Sequence, residues 1–430
     1  MARISMLSLL HQRRFLPYFL TQFFGAFNDN ILRQALILFI TTSAVSQYSA
    51  NFLNNIALAL FILPFFLFSG LAGQFADKLD KAQLVFWVKI AECLLMLLAA
   101  VGFYLQSLWG LMAVLFAMGL QSTFFGPIKY SIMPQHLTAA ELVAGNALVQ
   151  QGTYVAILLG SVIGVLLNAS FAQPWWGATA LVMVAFIGLV SSYYIPKAPS
   201  AVPKLKINWN PWSETVAVMR YAKRNKAVWI AVLSVSWFWF LGAAYTTQLK
   251  VYVDDYLHAG ETVYALLLLV FSLGIGVGSW GCKVVSRGQL KLWLVPLGAV
   301  GITVFGVDLF FAYQGMLSEQ TDTVGGFLAI AGVWRLLLDL FLIGMCGGFY
   351  VVPLFTFIQQ ATEESYRARV IAATNVMNAL FMVLSALFSI ALLSALNLTL
   401  PVFFLMLALL SLGVSLGLLT RVPQFRLRRA

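Results

Sequence analysis

Apolar segments long enough to cross a lipid bilayer recur along almost the whole chain. Each crossing needs about 20 residues, and the 430-residue chain holds twelve such segments. Hydrophobic residues make up 61% of it and charged residues only 10%, whereas a soluble domain has about 25% charged residues. The sequence therefore predicts an all-α integral membrane protein. The predicted spans are 15–43, 51–76, 82–106, 108–133, 141–168, 174–195, 227–253, 262–284, 289–313, 326–355, 368–395 and 398–420.

The basic residues of the connecting segments fall on one side of the predicted membrane. They lie before the first span, after even-numbered spans and after the last span, whereas the opposite loops carry acids such as Asp254, Asp255 and Glu261. Loops rich in Lys and Arg stay in the cytoplasm, so both termini are expected there. The net charge of +11 is assigned to this basic face and not to nucleic-acid binding. The N-terminus shows no small-residue cleavage site, so the first span is expected to be retained.

A long polar segment divides the spans into six and six. The predicted domains are an N-terminal six-helix bundle (1–195), a cytoplasmic linker (196–226) and a C-terminal six-helix bundle (227–430). The first and seventh spans are alike at an offset of 217, with FFGAFNDNILR at 23–33 and FLGAAYTTQLK at 240–250. Twelve spans alone leave several transporter folds open, but two similar halves favour the major facilitator superfamily, with a substrate site between the halves near mid-membrane.

The most specific short motif is GQFADKLDK, between the second and third spans. The superfamily carries Gly-x-x-x-Asp-Arg/Lys-x-Gly-Arg/Lys there, and Asp80 stands where glycine is usual. A small residue lets two helices approach closely, and Asp77 can pair with a basic group or a helix N-terminus when the cytoplasmic side is shut. The motif is therefore predicted to be a conformational gate, with an ordinary charged turn as the alternative. Its residues are Gly73, Asp77, Lys78 and Lys81.

A polar run lies at the midpoint of the first span, where Asn28, Asp29 and Asn30 are followed by Arg33. A charge at the bilayer centre costs about 2.5–3.5 kcal/mol on insertion scales, and such residues face a cavity or a partner. Asp29 and Arg33 are four residues apart and could neutralise each other on one helix face. The alternative is that the whole run lines a substrate cavity. The other embedded candidates for substrate binding are Lys129, Gln150, Gln248, Lys250, Asn375 and Asn378.

Two further pairs of embedded charges are predicted to be structural. Arg335 and Asp339, four residues apart in the tenth span, favour a local ion pair. Lys89 and Glu92 in the third span are expected to pair or to reach toward the interface. Asp308 in the ninth span has no evident partner in the sequence.

No cofactor or metal site is predicted. Cys93, Cys282 and Cys346 lie in apolar runs, and their spacing matches neither a zinc site nor a disulfide framework. The three histidines form no ligand cluster. Acyltransferase activity is not expected either, because no histidine stands five positions before an aspartate in the His-x-x-x-x-Asp arrangement that provides a base.

Four stretches give the chain a likeness to a known family. QFFGAFNDNILRQAL, FFGPIKYSIMPQHL, GNALVQQGTYVAILLGSVIGVLL and CGGFYVVPLFTFIQQ resemble the bacterial lysophospholipid transporter (LplT) family of the major facilitator superfamily and related domains fused to lipid acyltransferases. The resemblance implies movement of lysophosphatidylethanolamine and lysophosphatidylglycerol from the outer to the inner leaflet of the bacterial inner membrane. It implies alternating access without obligatory proton or ATP coupling. Reacylation would follow, functionally coupled to an acyltransferase or acyl-acyl-carrier-protein synthetase.

The resemblance also implies roles for single residues. Asp29 would contact the headgroup or the polar network around it, and Lys129 would attract the phosphate or form part of a cytoplasmic gate. Gln248, with Lys250 nearby, aligns where closer members of the family have an arginine in the seventh span. This difference leaves the headgroup preference open.

Two other functions fit the same sequence. The first is a proton-coupled exporter of amphipathic drugs, in which Asp29 carries the proton and a pH gradient drives transport. The second is a non-transporting membrane scaffold that recruits a lipid acyltransferase. Substitutions in the cytoplasmic loops, and not in the cavity, would abolish the function of a scaffold.

Overall fold

The computed structural model describes residues 7–42, 50–169, 175–314 and 323–421. Within these ranges lie fifteen α-helices, of which α5, α8 and α12 are short. They are α1 (Leu16–Thr42), α2 (Ala50–Lys78), α3 (Lys81–Tyr104), α4 (Leu108–Ser131), α5 (Met133–His136), α6 (Leu142–Ala169), α7 (Trp175–Tyr193), α8 (Pro211–Arg224), α9 (Lys226–Val251), α10 (Glu261–Ser286), α11 (Leu294–Gln314), α12 (Val324–Ala329), α13 (Val333–Ala361), α14 (Arg367–Ser389) and α15 (Leu400–Leu419).

The twelve long helices correspond one to one with the twelve predicted spans. By length and composition, ten helices in the described ranges can cross a membrane. Helix α1 has 27 residues and carries the polar run, and α7 has 19 residues, so these two complete the set. The predicted all-α, twelve-helix architecture of a multi-pass membrane protein is confirmed.

The tenth span differs most from its predicted bounds of 326–355. Helix α13 begins only at Val333, because a separate short helix, α12, precedes it. Thr323 caps α12 by accepting a hydrogen bond from the Gly326 amide at 3.2 Å. Gly332 then adopts a φ of 89°, a conformation that only glycine reaches easily, and the chain turns there before α13 starts.

The predicted linker contains an additional helix, α8, which begins after Asn210. The Asn210 side chain accepts a hydrogen bond from the Ser213 amide at 3.0 Å, and Pro211 occupies the first helical turn, where its missing N–H costs nothing. One face of α8 packs against α2, where Gly70 leaves room for the backbone of Thr215. The linker is therefore anchored to the first half of the chain.

The structure divides into two compact units. Unit 1 comprises Met1–Gly145, Val155–Arg224 and Gln359–Val376, and unit 2 comprises Asn146–Tyr154, Asn225–Ile358 and Met377–Ala430. The predicted domain boundaries at 195 and 227 concern the transporting bundles and stay a prediction.

Each unit is held together by close helix packing. In unit 1, α2 packs along α4, and α7 packs against both α1 and α3. In unit 2, α11 packs along α15, while Gly274 and Gly278 of α10 lie directly against the α13 backbone at Phe341 and Met345. Small residues permit this approach, which drives helix association in lipid.

Candidate functional site

The polar run of α1 meets buried polar side chains from α3 and α4 inside unit 1. Lys89 Nζ lies 2.5 Å from Glu92 Oε2, and both side chains are 1% exposed. Gln121 Nε2 donates to the same carboxylate oxygen at 3.0 Å, and Asn28 Nδ2 lies 3.4 Å from the other oxygen. Glu92 therefore joins three helices. Lys89 and Glu92, expected to pair or to reach outward, form a pair.

Asp29 is connected to Glu92 through α4. Ser122 Oγ lies 3.0 Å from Asp29 Oδ2 and 3.2 Å from Gln121 Oε1, and its single hydroxyl proton can be donated to only one of them at a time. These contacts connect Asn28 to Glu92, Glu92 to Gln121, Gln121 to Ser122 and Ser122 to Asp29. We call these five residues and Lys89 the polar cluster.

Small and aromatic residues enclose the buried Lys89 ammonium. Its nitrogen lies 5.2 Å from the centre of the Phe125 ring, within range of a cation–π attraction. Gly25 of α1 and Gly188 of α7 line the same space, and a side chain at Gly25 would collide with the ammonium. The contact with Glu92 and the nearby ring partly offset the cost of burying this charge.

Lys129 adds a fourth charge near the polar cluster. It lies on α4 seven residues after Ser122, or about two helical turns, and its ammonium is close enough to attract Asp29 electrostatically. The nitrogen also lies 5.5 Å from the centre of the Tyr130 ring. Asp29 and Glu92 carry two negative charges when ionised, and Lys89 and Lys129 carry two positive charges, so the site is formally neutral.

The remaining predicted binding residues of unit 1 have different surroundings. Asn30 donates to the Ala26 carbonyl of its own helix at 2.7 Å. Arg33 lies one turn after Asp29 with an exposed side chain. Asn375, on α14, is half-buried beside Gly126 of α4.

The other predicted binding residues belong to unit 2. Lys250 lies at the end of α9 and pairs with Asp254 and Glu261 at 2.7 Å each. Asn378 accepts a hydrogen bond from Ser236 Oγ at 2.9 Å. Gln150 and Gln248 are buried. A role in substrate binding stays a prediction for all of them.

Unit 2 also contains a small, open apolar cleft. It lies between α9, α10, α11 and α13, and among its lining side chains only a tyrosine carries a polar group. The cleft therefore offers an apolar wall without charge. Its lining residues are Phe238, Leu241, Gly242, Tyr245, Phe271, Ile275, Ile302, Ile343, Gly344 and Gly347.

The motif between α2 and α3 contacts the start of α14 within unit 1. Asp77 is fully buried and accepts hydrogen bonds from Arg369 Nε at 3.0 Å and from the Ala368 amide at 3.2 Å. It thus meets both a basic group and a helix N-terminus. A Cβ at Gly73 would lie 2.9 Å from the Cβ of Ala372 and from the Cα of Arg369, so glycine is what permits this contact.

The departure of the motif from its usual pattern has a structural reason. Asp80 has a φ of −61°, which does not require glycine, and it caps α3 by accepting from the amides of Ala82 at 2.9 Å and Gln83 at 3.1 Å. Its carboxylate also accepts from the Ala198 amide at 3.2 Å and so secures the linker. Lys81 is buried near Asp77, and Lys78 is half-buried. Gating by these residues stays a prediction.

The ion pair predicted within α13 is only partly correct, because Asp339 attracts Arg335 electrostatically but the contact ion pair of Arg335 is with another helix. Arg335 donates instead to Asp308 of α11, through its Nε at 3.0 Å and through a second guanidinium nitrogen. Two parallel bonds match the planar guanidinium better than one contact along its own helix does. This arrangement also gives Asp308 its partner.

Sequence reasoning did not assign Glu92, Gln121 and Ser122 to the site. All three lie well inside an apolar span, as Asp29 does, and the cost of polar groups in lipid was the signal that could have found them. Spacing along one chain does not reveal which spans touch, and so the partners became visible only in the folded structure.

Comparison with known proteins identifies the class. Residues 18–320 match the family model of the Major Facilitator Superfamily, and the chain therefore belongs to this superfamily. It is 27% identical over 394 residues to the lysophospholipid transporter LplT of Klebsiella pneumoniae, with 89% of each chain covered. The LplT of Escherichia coli is 27% identical over 379 residues, with 86% of each covered. The resemblance predicted from the four sequence stretches is confirmed.

Solved structures show the same fold. The human organic anion transporter MFSD10 aligns with a TM-score of 0.71 at 12% identity, covering 94% of this chain and 99% of that one. A bacterial homologue of the iron transporter ferroportin aligns with a TM-score of 0.69 at 14% identity, covering 97% and 100%. All of these relatives are named as transporters, in accord with the expectation that the chain is not an enzyme.

Proposed function

We propose that this protein is a lysophospholipid transporter of the bacterial inner membrane. It moves lysophosphatidylethanolamine and lysophosphatidylglycerol from the outer to the inner leaflet by alternating access. The observation that supports the proposal is the Asp29 carboxylate of the polar cluster, which contacts Ser122 on α4 about two helical turns before Lys129. The named relatives support the substrate class.

The charges of this site match those of a phospholipid headgroup. Phosphoethanolamine carries a negative phosphate and a positive ammonium, which are complementary to Lys129 and Asp29. A headgroup between them replaces one attraction within the protein by two charge-assisted contacts, which are stronger than neutral hydrogen bonds. A glycerol headgroup lacks the ammonium, but its hydroxyls can donate to Asp29. Glu92 is already neutralised by Lys89 and holds Asn28 and Gln121 in place.

The single acyl chain of a lysophospholipid needs an apolar surface. Each methylene removed from water contributes about 0.8 kcal/mol of favourable transfer free energy. A polar lining would not provide this contribution. The proposed position of the tail is therefore against apolar cavity walls or membrane lipid.

Alternating access requires a contact that forms and breaks. Asp77, Arg369 and the Ala368 amide form such a contact at the start of α14. In the proposed cycle these bonds break when the cytoplasmic side opens and reform when it closes. The termini and the linker lie in the cytoplasm, where a separate acyltransferase or acyl-acyl-carrier-protein synthetase reacylates the product.

One observation favours a second candidate, a proton-coupled exporter of amphipathic molecules. Asp29 and Glu92 are two carboxylates that are linked through Ser122 and Gln121 of α4. A proton bound at Asp29 would relieve the repulsion between them, and its release would drive transport. This candidate requires a pH gradient.

Ligand-induced stabilisation of the purified protein tests the headgroup assignment. Lysophosphatidylethanolamine should raise the unfolding temperature of the wild type, since a ligand stabilises the folded state that binds it. The rise should be lost in Asp29→Asn and in Lys129→Met. It should persist in Asp255→Asn and Lys291→Met, which change exposed residues of the same types outside the proposed site. An equal rise in all five proteins would show that the headgroup binds elsewhere.

A further inference from the structure

The linker exposes basic and aromatic side chains, and none of its own exposed side chains is acidic. Trp209 is 72% exposed and Trp212 is 71% exposed. Glu214 is the single acid between residues 199 and 226, and it is buried. We call the exposed side chains of residues 204–224 the linker surface. Its basic members are Lys204, Lys206, Arg220, Lys223 and Arg224.

The exposed residues of α8 share one side of the helix. Trp212, Val216, Arg220 and Lys223 follow a spacing of four, four and three residues, which places them in one row. The opposite row is buried and packs on α2. Helix α8 is therefore amphipathic in an unusual sense, because its outward face combines apolar rings with positive charges.

The contacts of α8 with α2 fix its depth. Helix α2 has 29 residues, a length of about 43 Å, which equals the bilayer with its headgroup layers. Thr215 meets Gly70, eight residues or about 12 Å before the end of α2. Trp209 packs on Phe75, with ring centres 6.0 Å apart, nearer that end. The linker surface thus lies where the headgroups meet the hydrocarbon, and a soluble protein does not reach that level.

We propose that the linker surface binds anionic phospholipid headgroups at the cytoplasmic interface of the membrane. Tryptophan rings partition into this interface, and clustered Lys and Arg side chains attract anionic lipids there. An amphipathic helix with both features lies in the interface plane. Binding at this surface is independent of which substrate the protein transports.

A short line of side chains joins this surface to the gate motif. Tyr221 of α8 stacks on Tyr366, with ring centres 3.9 Å apart and planes 9° apart. The Tyr366 ring lies 4.0 Å from the guanidinium of Arg369, which binds Asp77. Anionic lipid that holds α8 in place therefore also stabilises the Tyr366–Arg369 stack and, through it, the Asp77 contact.

Fluorescence quenching by brominated lipids tests the proposal on the full-length protein. Two nanodisc preparations contain the same mixture of phosphatidylethanolamine and phosphatidylglycerol, with bromine on the acyl chains of one lipid or the other. Subtracting the signal of a Trp209→Phe/Trp212→Phe variant isolates the two linker tryptophans. Per bromine atom, brominated phosphatidylglycerol should quench this difference signal at least about twofold more strongly than brominated phosphatidylethanolamine does. Equal quenching by both lipids would overturn the proposal, and this comparison needs only the wild type and one conservative variant.

Charge removal provides the second arm. The variant Lys204→Gln/Lys206→Gln/Lys223→Gln should bring the quenching ratio close to one. The matched variant Arg287→Gln/Lys291→Gln changes exposed basic residues after α10 and should leave the ratio unchanged. Absence of lipid quenching together with full quenching by aqueous iodide would place the surface in water, where a soluble protein partner fits, and would also overturn the proposal.

Discussion

At the scale of residues, opposite charges lie close together in and beside the polar cluster. Lys89 neutralises Glu92 with an almost completely buried contact, whereas Asp29 and Lys129 attract each other from separate helices. The sequence predicted that Asp29 and its neighbours need partners in the membrane. It did not predict that Ser122 of α4 contacts Asp29 and that Glu92 of α3 contacts Asn28, because the rotation of each helix about its axis decides which side chains face α1.

Breaking the Lys89–Glu92 pair on one side should destabilise the protein strongly. Lys89→Met leaves a buried carboxylate without its counter-ion, which costs about 3–5 kcal/mol. The double variant Lys89→Met/Glu92→Gln removes both charges and should recover most of that loss. Unfolding in detergent, followed by tryptophan fluorescence, measures the difference.

A matched control is the exposed pair on α11 and α13. Arg335→Met should lower stability less than Lys89→Met, because the side chains of Arg335 and Asp308 are 52% and 37% exposed, whereas those of Lys89 and Glu92 are 1% exposed. If Lys89→Met lowers the free energy of unfolding no more than Arg335→Met does, the Lys89–Glu92 pair does not stabilise the protein as predicted.

Glu141 gives unit 1 a pH-dependent contact outside the membrane spans. Burial favours its neutral form, but hydrogen bonds from Thr138 and Arg14 outweigh that effect and lower the pKa of Glu141 below its usual value of 4.5. The Arg14 nitrogen lies 2.6 Å from the carboxylate. A lowered acid pKa adds stability that is fully present above the unfolded-state pKa and is lost as the pH falls through the folded-state pKa.

The wild type should therefore be more stable than Glu141→Gln by a constant amount above about pH 5.5, where the carboxylate is ionised in both states. The difference should shrink only when the pH falls below 4.5. Unfolding temperatures of both proteins across this pH range measure it. In an Arg14→Gln background the difference should be smaller at every pH, and a difference that persists unchanged to pH 3 would exclude the ionised contact as its source.

At the scale of elements, helix lengths followed from the sequence, but their contacts did not. Most predicted spans agree with the helices within a few residues, because long apolar runs mark both ends. Helix α13 began later than predicted since a positive φ at Gly332 separates it from α12. Helix α8 escaped prediction because its basic composition is typical of a solvated linker, and its buried face forms only against α2.

The approach of α2 to α14 should depend on Gly73. Gly73→Ala places a methyl group 2.9 Å from Ala372 and Arg369, so it should push the helices apart, weaken the Asp77 contact and lower the unfolding temperature. Gly413→Ala in α15 meets no atom within 4 Å and should raise stability by about 0.5–1 kcal/mol, because alanine favours a helix over glycine. If both variants change the stability in the same direction, the close contact at Gly73 does not limit how closely α2 and α14 approach.

At the scale of the whole molecule, composition and periodicity predicted the class of protein. The twelve spans, the internal repeat and the motif after the second span indicated a major facilitator, and the family match agrees. The composition of the polar cluster and the anchoring of the linker required the folded chain, because both join residues that are far apart in sequence.

The most direct test of the central claim is leaflet movement of labelled lysophosphatidylethanolamine in proteoliposomes without ion gradients. The wild type and Asp255→Asn should move the lipid faster than empty liposomes, while Asp29→Asn, verified as folded, should not. This result would support facilitated transport with Asp29 at the headgroup. Movement by the wild type only when a pH gradient is imposed would contradict it and favour the proton-coupled exporter.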